Sequence, residues 1–437
     1  MLGYYVEVAL RSLRRTSILT SLMVLAIGLG IGASMTMITV LHVMSGDPLP
    51  ARSSKLFVPM LDPRPLGHGL SPSDRRTETP NGFTWPDAMN LLHEHHAVRQ
   101  AAMQGGAVAV HPAQADSHTL FERGEFVTSE FFAMFQSPFR AGSGWTAQQD
   151  QRHARVVVLT SQLNQTLFGD ASGIGRTVRL DNTDFRVIGV LNDWHPQPRF
   201  YGQPGYRTFG NPDQLFLPIQ TALELKFSFE GQLSCWSNGG DTRTSDKCTW
   251  LQYWVELDSP DEVALYQQYL SNYWHDQQAG GRFTRKKSPP HLIGLTPWLT
   301  RWQVIPANLS MQMWLAIGFL FVSILSVVAL LLAKFMRRSG EISVRRTLGA
   351  RRRDIFIQFG VESAVIGSAG GLLGLLIAQF GLWSIRERPD GYAQLAHMHP
   401  LMLVSTVVLA IIACVLAGML PAWRACQVPP ALYLRMQ

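Results

Sequence analysis

Charge is what this chain has least of. Only 16% of its 437 residues are Asp, Glu, Lys or Arg, against roughly 25% in soluble globular proteins. Cysteine is scarce as well, with four in the whole chain, which excludes a small disulfide-stapled scaffold. No G-x-S-x-G, C-x-x-C or G-x-x-x-x-G-K-[ST] occurs. A nucleophile-elbow hydrolase, a thiol redox motif and a loop whose amides and lysine would hold nucleotide phosphates are therefore not expected. No acid pair stands out, so no catalytic residue is assigned. His93, His95 and His96 flank Glu94, but they lack the i, i+4 spacing that sets two imidazoles on one helix face. They read as a solvated helix face, and no metal ligand set is assigned.

What is present is long uncharged apolar sequence. Ile18 to Val43 and Met311 to Ala333 contain no charged residue, Phe356 to Ile385 is interrupted by Glu362 near its start, and Leu401 to Leu420 precedes Pro421. A spanning helix needs about 20 mostly apolar residues, and all four meet that. The first is too long for a signal-peptide core and lacks a convincing small-x-small cleavage site, so it is expected to stay as an anchor.

Arginine placement sets the expected orientation. Thirteen basic residues, from Arg11 through Lys334 and Arg337 to Arg435, lie before span one, between spans two and three, or after span four, against four acidic residues there. By the positive-inside rule both termini and the Arg-rich segment are cytoplasmic. The stretch between spans one and two is then outside, and it is slightly acidic, with 23 basic and 25 acidic residues. The sequence pI of 9.4 thus reports juxtamembrane arginines. A nucleic-acid surface would need basic residues clustered on a folded domain, so no nucleic-acid partner is expected.

The resulting expectation is an α-helical membrane protein with four transmembrane helices and a large mixed α/β extracytoplasmic domain between the first two. Its parts are a cytoplasmic lead-in (1–16), span one (17–45), the outer domain (46–305), span two (306–336), a short Arg-rich cytoplasmic helix (337–355), span three (356–385), a short outer loop (386–400), span four (401–423) and a tail (424–437). Within the outer domain, Thr84 to Val98 reads as a helix with Thr84 as cap and Pro86 in its first turn. Val156 to Leu159 reads as a buried strand entering a helix. Val178 to Val190 reads as a hairpin turning at Asp181-Asn182-Thr183. Trp194 to Asn211 reads as irregular loop, Val263 to His275 as a helix capped by Ser259, and 280–290 as a polar linker. Cys235 and Cys248 share this outer domain, where an oxidising compartment favours a disulfide. Cys414 and Cys426 fall in span four and the tail and should not pair.

Between spans two and three stands E-I-x-x-R-R-x-L-G-A-x-x-x-D-I, from Glu341 to Ile355. It resembles the coupling segment of MacB/FtsX-type (type VII) ABC transporter permeases. ALRSLRR (9–15), FERGEFVTSEFFAMFQSPFRAGSGW (121–145), VVVLTSQLNQTLFGDASGIGRTVRLDNTDFRVIGVL (156–191) and PAWRACQVPPALYLR (421–435) are similar to further pieces of that family, including the MacB-type periplasmic core domain. Trp423 and Tyr433 are local departures from its closing motif. The resemblance implies that Glu341, Ile342, Arg345, Arg346, Leu348, Gly349, Arg353 and Asp354 dock on an ABC ATPase. It also implies a bacterial inner membrane location and a second permease chain, identical or a paralogue. Because MacB carries its ATPase ahead of the first span and this chain shows no phosphate loop, the ATPase, with its ATP and magnesium, is expected on a separate polypeptide, and the chain itself binds no cofactor. A periplasmic adaptor and an outer-membrane channel are further implied partners. An FtsX-like regulator of a periplasmic hydrolase, or a lipoprotein-extracting permease, is the alternative.

Small residues spaced by four, Gly28 and Gly32, Gly367 and Gly371, Gly370 and Gly374, let helix backbones approach in lipid. Glu362 reads as interfacial, near the cytoplasmic end of its helix. With so few charges at membrane depth, the spans are expected to transmit force to the outer domain and not to conduct substrate.

Overall fold

The computed structural model describes residues 7, 11, 16–69, 82–112, 118–169, 171–203, 208–237, 242–285, 288–302, 307–337, 352–387 and 400–427. The chain divides into a helical unit, Met1–Met44 with Pro306–Gln437, and an α/β unit, Ser45–Ile305. A first helix, α1 (Ser17–Ser45), leads into the α/β unit. There β1 (Leu56–Met60), α2 (Trp85–Glu94), β2 (Arg99–His111), β3 (Leu120–Val127), α3 (Phe131–Met134), β4 (Phe139–Gly142) and α4 (Ala147–Gln151) come first. Next are β5 (Val156–Thr160), α5 (Ser161–Phe168), β6 (Thr177–Leu180), β7 (Thr183–Leu191), β8 (Leu215–Pro218) and α6 (Ile219–Glu224). The unit closes with β9 (Ser228–Phe229), β10 (Ser234–Cys235), β11 (Cys248–Thr249), β12 (Gln252–Glu256), α7 (Pro260–Ala279), β13 (His291–Gly294) and α8 (Leu295–Arg301). The chain returns to the helical unit as α9 (Ala307–Arg337), α10 (Arg352–Arg386) and α11 (Pro400–Gln427).

Caps in the sequence act where expected. The Thr84 hydroxyl accepts from the Asp87 amide at the start of α2, and Ser259 does the same for Glu262 at the start of α7. Each satisfies one orphan amide of a first turn. The α2 helix stops at Glu94, four residues before the expected end. His95 turns left-handed at φ 51°, and the chain leaves to pair Arg99 with Glu256 of β12. The α7 helix runs on to Ala279.

The main sheet has the order β13-β1-β12-β2-β3-β8-β5-β7-β4, with β6 and β9 also joined to β2. The β3–β8 and β5–β7 pairs are parallel and the others antiparallel. The 13-residue β2 holds the sheet together, pairing first with β12 and then with β3. At Gly106 of β2 an added Cβ would lie 2.1 Å from the Phe126 ring, so only glycine lets that ring cross the strand. Alternation along the strands feeds two cores. Val157 and Leu159 enter one, with Tyr253 and Val255. Val156, Val158 and Trp254 enter the other, which is dominated by Phe131, Phe132, Phe135, Phe200, Tyr201 and Phe216.

The expected loop and the expected linker both contribute interior residues. The described residues of 194–211 form no helix or strand, but Arg199 is 8% exposed, Phe200 2% and Tyr201 3%. The Arg199 guanidinium pairs with Glu125 of β3 and, at 2.8 Å, with Asp213, which also accepts from the Tyr201 hydroxyl at 2.9 Å. Burial works against the guanidinium's charge, yet Asp213 and Glu125 outweigh it and hold Arg199 firmly protonated. The expected linker 280–290 likewise anchors the unit. Phe283 is 2% exposed, and Arg282 pairs with the buried Asp87 at 2.5 Å.

In the helical unit, α1, α9 and α10 are long and apolar enough to cross a membrane by length and composition, and α11 contains the shorter apolar stretch Leu403–Met419. The α10 and α11 helices extend beyond the expected spans three and four, whereas α1 coincides with span one and α9 is shifted from span two by one residue. Residue 337 completes α9, and residues 352–355 form the polar first turn of α10, where Asp354 meets the positive end of the helix dipole.

Candidate functional site

Of the residues expected to dock an ATPase, Glu341, Ile342, Arg345, Arg346, Leu348 and Gly349 lie outside the described residues. Arg353 and Asp354 are exposed in the first turn of α10. Immediately after them Ile355 and Phe359 turn inward, 5% and 4% exposed, into an apolar cluster with Val327 and Leu331 of α9. That inward face follows from helical spacing of apolar residues.

All six glycines singled out by spacing sit at close helix contacts inside the chain. A Cβ on Gly370 would lie 2.6 Å from Ile27, and one on Gly374 would lie 3.2 Å from the Gly28 carbonyl, so these two face α1. Gly28 and Gly32 return the contact against Leu373 and Ile377. Gly367 and Gly371 face α11, at Ala410 and neighbours. One helix, α10, therefore offers glycine faces to two partners. Gly30 against Ser323, Gly381 against Thr36 and Gly418 against Ser363 make further close approaches that lie outside those pairs. The Ser34 hydroxyl donates to the Ala316 carbonyl of α9 at 3.0 Å, tying α1 to that helix as well.

Glu362 is buried inside the helical unit. It is 1% exposed and pairs with Lys334 Nζ of α9 at 2.5 Å, and the lysine side chain is itself 1% exposed. The sequence reading missed this pair because Lys334 looks like one more topology-setting cation. The signal available was a carboxylate on an apolar helix, which needs a partner.

The α/β unit carries an open cleft of about 940 Å³. Trp85, Met89 and Leu223 supply apolar wall, and Glu130, Asp150, Glu224 and Lys226 supply charge. His95 bonds Glu130 at 3.0 Å across the cleft, and His153 bonds Glu224. Glu130 also accepts from the Gln100 amide at 2.6 Å. Asp150 accepts from the Ser129 amide at 2.6 Å and from the Trp145 indole at 2.7 Å. Burial raises the Asp150 carboxyl to about 6, and those hydrogen bonds with nearby His153 only partly offset it. His93, His95 and His96 are exposed. Elsewhere in the unit, Cys235 and Cys248 are joined in a disulfide between β10 and β11.

These features define a membrane protein whose helical bundle is interrupted in sequence, between its first and second helices, by a folded α/β unit. Residues 20–273 match the MacB-like periplasmic core domain, and residues 313–430 match the FtsX-like permease C-terminal domain. The chain belongs to the MacB-like permease family of ABC transporters. It is 27% identical over 239 residues to the macrolide export ATP-binding/permease protein MacB of Bdellovibrio bacteriovorus, covering 54% of this chain and 32% of that protein. Against the protein of the same name from an Azoarcus species it is 22% identical over 374 residues, covering 84% of this chain and 50% of the other. The chain thus spans about half or less of the curated relatives it matches. Among solved structures, the periplasmic region of MacB from Actinobacillus actinomycetemcomitans aligns over 56% of this chain and 90% of its own, with 14% identity and a TM-score of 0.36.

Proposed function

We propose that this chain is the membrane subunit of a type VII ABC transporter, working with a separate ATPase polypeptide that binds the ATP and magnesium, and that it passes force from that ATPase to its α/β unit. On this reading four helices cross the bacterial inner membrane. Both termini and residues 338–351 are cytoplasmic, the α/β unit is periplasmic, and a second permease chain completes the membrane part. Export with a periplasmic adaptor and an outer-membrane channel is the favoured task, because the relatives are named for macrolide export and the α/β unit is of the MacB-like type.

The contrast between the two units carries the reading. Among the described residues of the helical unit, one cavity, lined by Ile27, Ile31, Leu320, Ser323 and Cys414, has about 10 Å³, no more than one water. The α/β unit offers a cleft of about 940 Å³. Closely packed helices suit transmission of a displacement, because packed cores shift between discrete arrangements and do not deform continuously.

Charge reversal at Arg345 and Arg346 tests the docking step. The expected result is loss of ATPase association and of stimulated hydrolysis, with membrane insertion intact. Unchanged association and hydrolysis overturn it. Photocrosslinkers test the force step: substrate trapped at mid-membrane positions of α1 or α9, and never in the α/β unit, overturns force transmission. Capture of a cell-wall hydrolase without any export would move the assignment to the regulatory alternative.

A further inference from the structure

We propose that the Lys334–Glu362 ion pair is a positioning link that holds the two helices flanking residues 338–351 at one fixed separation, so that a push on that segment moves α9 and α10 as one body. Lys334 lies in the last turn of α9 and Glu362 in the third turn of α10. Their charged atoms are 2.5 Å apart, and both side chains are 1% exposed. The same stretches of α9 and α10 carry Leu331, Ile355, Phe359 and Ile366, all buried in one apolar cluster. On the next residue of α10, Ser363 is fully buried against Gly418 of α11, where an added Cβ would lie 2.1 Å from its hydroxyl oxygen.

Two charges withdrawn from water into an apolar bundle are a poor source of stability. A well-packed apolar pair of similar volume would serve as well or better. What a buried ion pair adds is a preference for one geometry, because sliding either helix by a fraction of a turn separates the charges in a medium that screens them little. Burial of the neighbouring Leu331, Ile355 and Phe359 is non-directional and by itself marks one register less sharply than a charge pair does. The pair also sits at the helix ends next to the segment expected to receive the ATPase, where unconstrained helices would splay. The functional meaning of the link rests on the docking reading above, but its geometry does not.

The test uses the full chain in lipid nanodiscs, with Cys414→Ala and Cys426→Ser as background. Spin labels go on Ala333→Cys and Arg353→Cys, both exposed positions. The inter-label distance distribution and the melting temperature are compared for the parent and for K334M/E362Q, which leaves no charge at the site. The expected result is a parent with one narrow distribution and a double variant that keeps the melting temperature but loses the single narrow peak. A double variant as narrow as the parent overturns the proposal. So does one that no longer folds, because the pair is then a folding requirement and not a positioning link. No ATPase enters the measurement, so this result stands or falls apart from the Arg345 and Arg346 experiment. Once the cognate ATPase is in hand, loss of its stimulation in K334M/E362Q with binding retained is the expected functional counterpart.

Discussion

Replacing Asp150 with Asn should turn a pH-dependent cost in the α/β unit into a flat one. The native carboxyl titrates at about 6, raised from 3.8 chiefly by burial. Between those values the folded protein holds a proton that the unfolded chain has released. Stability from this group is therefore greatest below about 4, falls as pH rises toward 6, and stays reduced above it. Two pKa units correspond to about 3 kcal/mol, an upper figure for a group 6% exposed. Asparagine removes the buried charge but offers one acceptor oxygen to two donors, the Ser129 amide and the Trp145 indole. Losing one of those bonds costs about 1–3 kcal/mol. D150N should thus be the less stable protein at pH 4.5 and equal or better at pH 7.5.

Denaturant unfolding followed by tryptophan fluorescence is suited to this, because nine of the twelve tryptophans belong to the α/β unit. His95, His153, Glu130, Glu224 and Lys226 face the same cleft and are common to both proteins, so the difference between the two curves reports Asp150 together with its coupling to His153. A difference that stays constant from pH 4.5 to 7.5, or changes with the opposite slope, refutes the reasoning.

Three shorter tests address the frame. Gly367→Ala places a Cβ 3.0 Å from the Ala410 carbonyl oxygen, and overpacking of that kind should cost about 1–3 kcal/mol; Gly318→Ala, with nothing within 4 Å, should leave the melting temperature in detergent unchanged. Arg199→Met removes the cation that pairs with two buried carboxylates, Glu125 and Asp213, and should lower unfolding stability by about 3–5 kcal/mol, most of it recovered when E125Q and D213N are added. Cys235→Ser opens a loop whose ends are 13 residues apart and should cost about 3 kcal/mol, while mass spectrometry of the unreduced parent should find neither Cys235 nor Cys248 alkylated.

Which parts of this structure were legible follows from the range of the forces involved. The apolar helices announce themselves because the membrane acts on composition, and α1 has no charged residue anywhere from Ser17 to Ser45. Caps were legible because Thr84 and Ser259 act on amides three residues ahead. The hairpin of β6 and β7 was legible because Asp181 adopts the left-handed conformation its turn requires, at φ 47°. By contrast, β2 carries Gly105, Gly106 and four alanines, a weak strand signature, and it becomes the trunk of the sheet only through partners from β3 to β12.

The least legible residues are charges whose partners are distant in sequence. Arg199 sits in a stretch rich in Pro, Gly and aromatics, where an arginine reads as solvent-facing. It is interior because Glu125, 74 positions earlier, lies buried beside it. Arg282 reads as linker and closes on Asp87. Lys334 and Glu362 follow the same rule in the helical unit, where the positive-inside argument counts the lysine only as a cation on the cytoplasmic side, because counting arginines and lysines treats every cation near a helix end alike. Only the last turn of α9 packing against α10 shows that this cation points inward. The glycine spacing in α10 could be read because it is local. What it makes possible, the close approach that brings α1 and α11 onto one helix and encloses a charge pair beside it, is a property of the assembled bundle. A sequence reader can therefore flag Glu362 as a carboxylate in need of a partner, but naming Lys334 as that partner requires the helices to be in place.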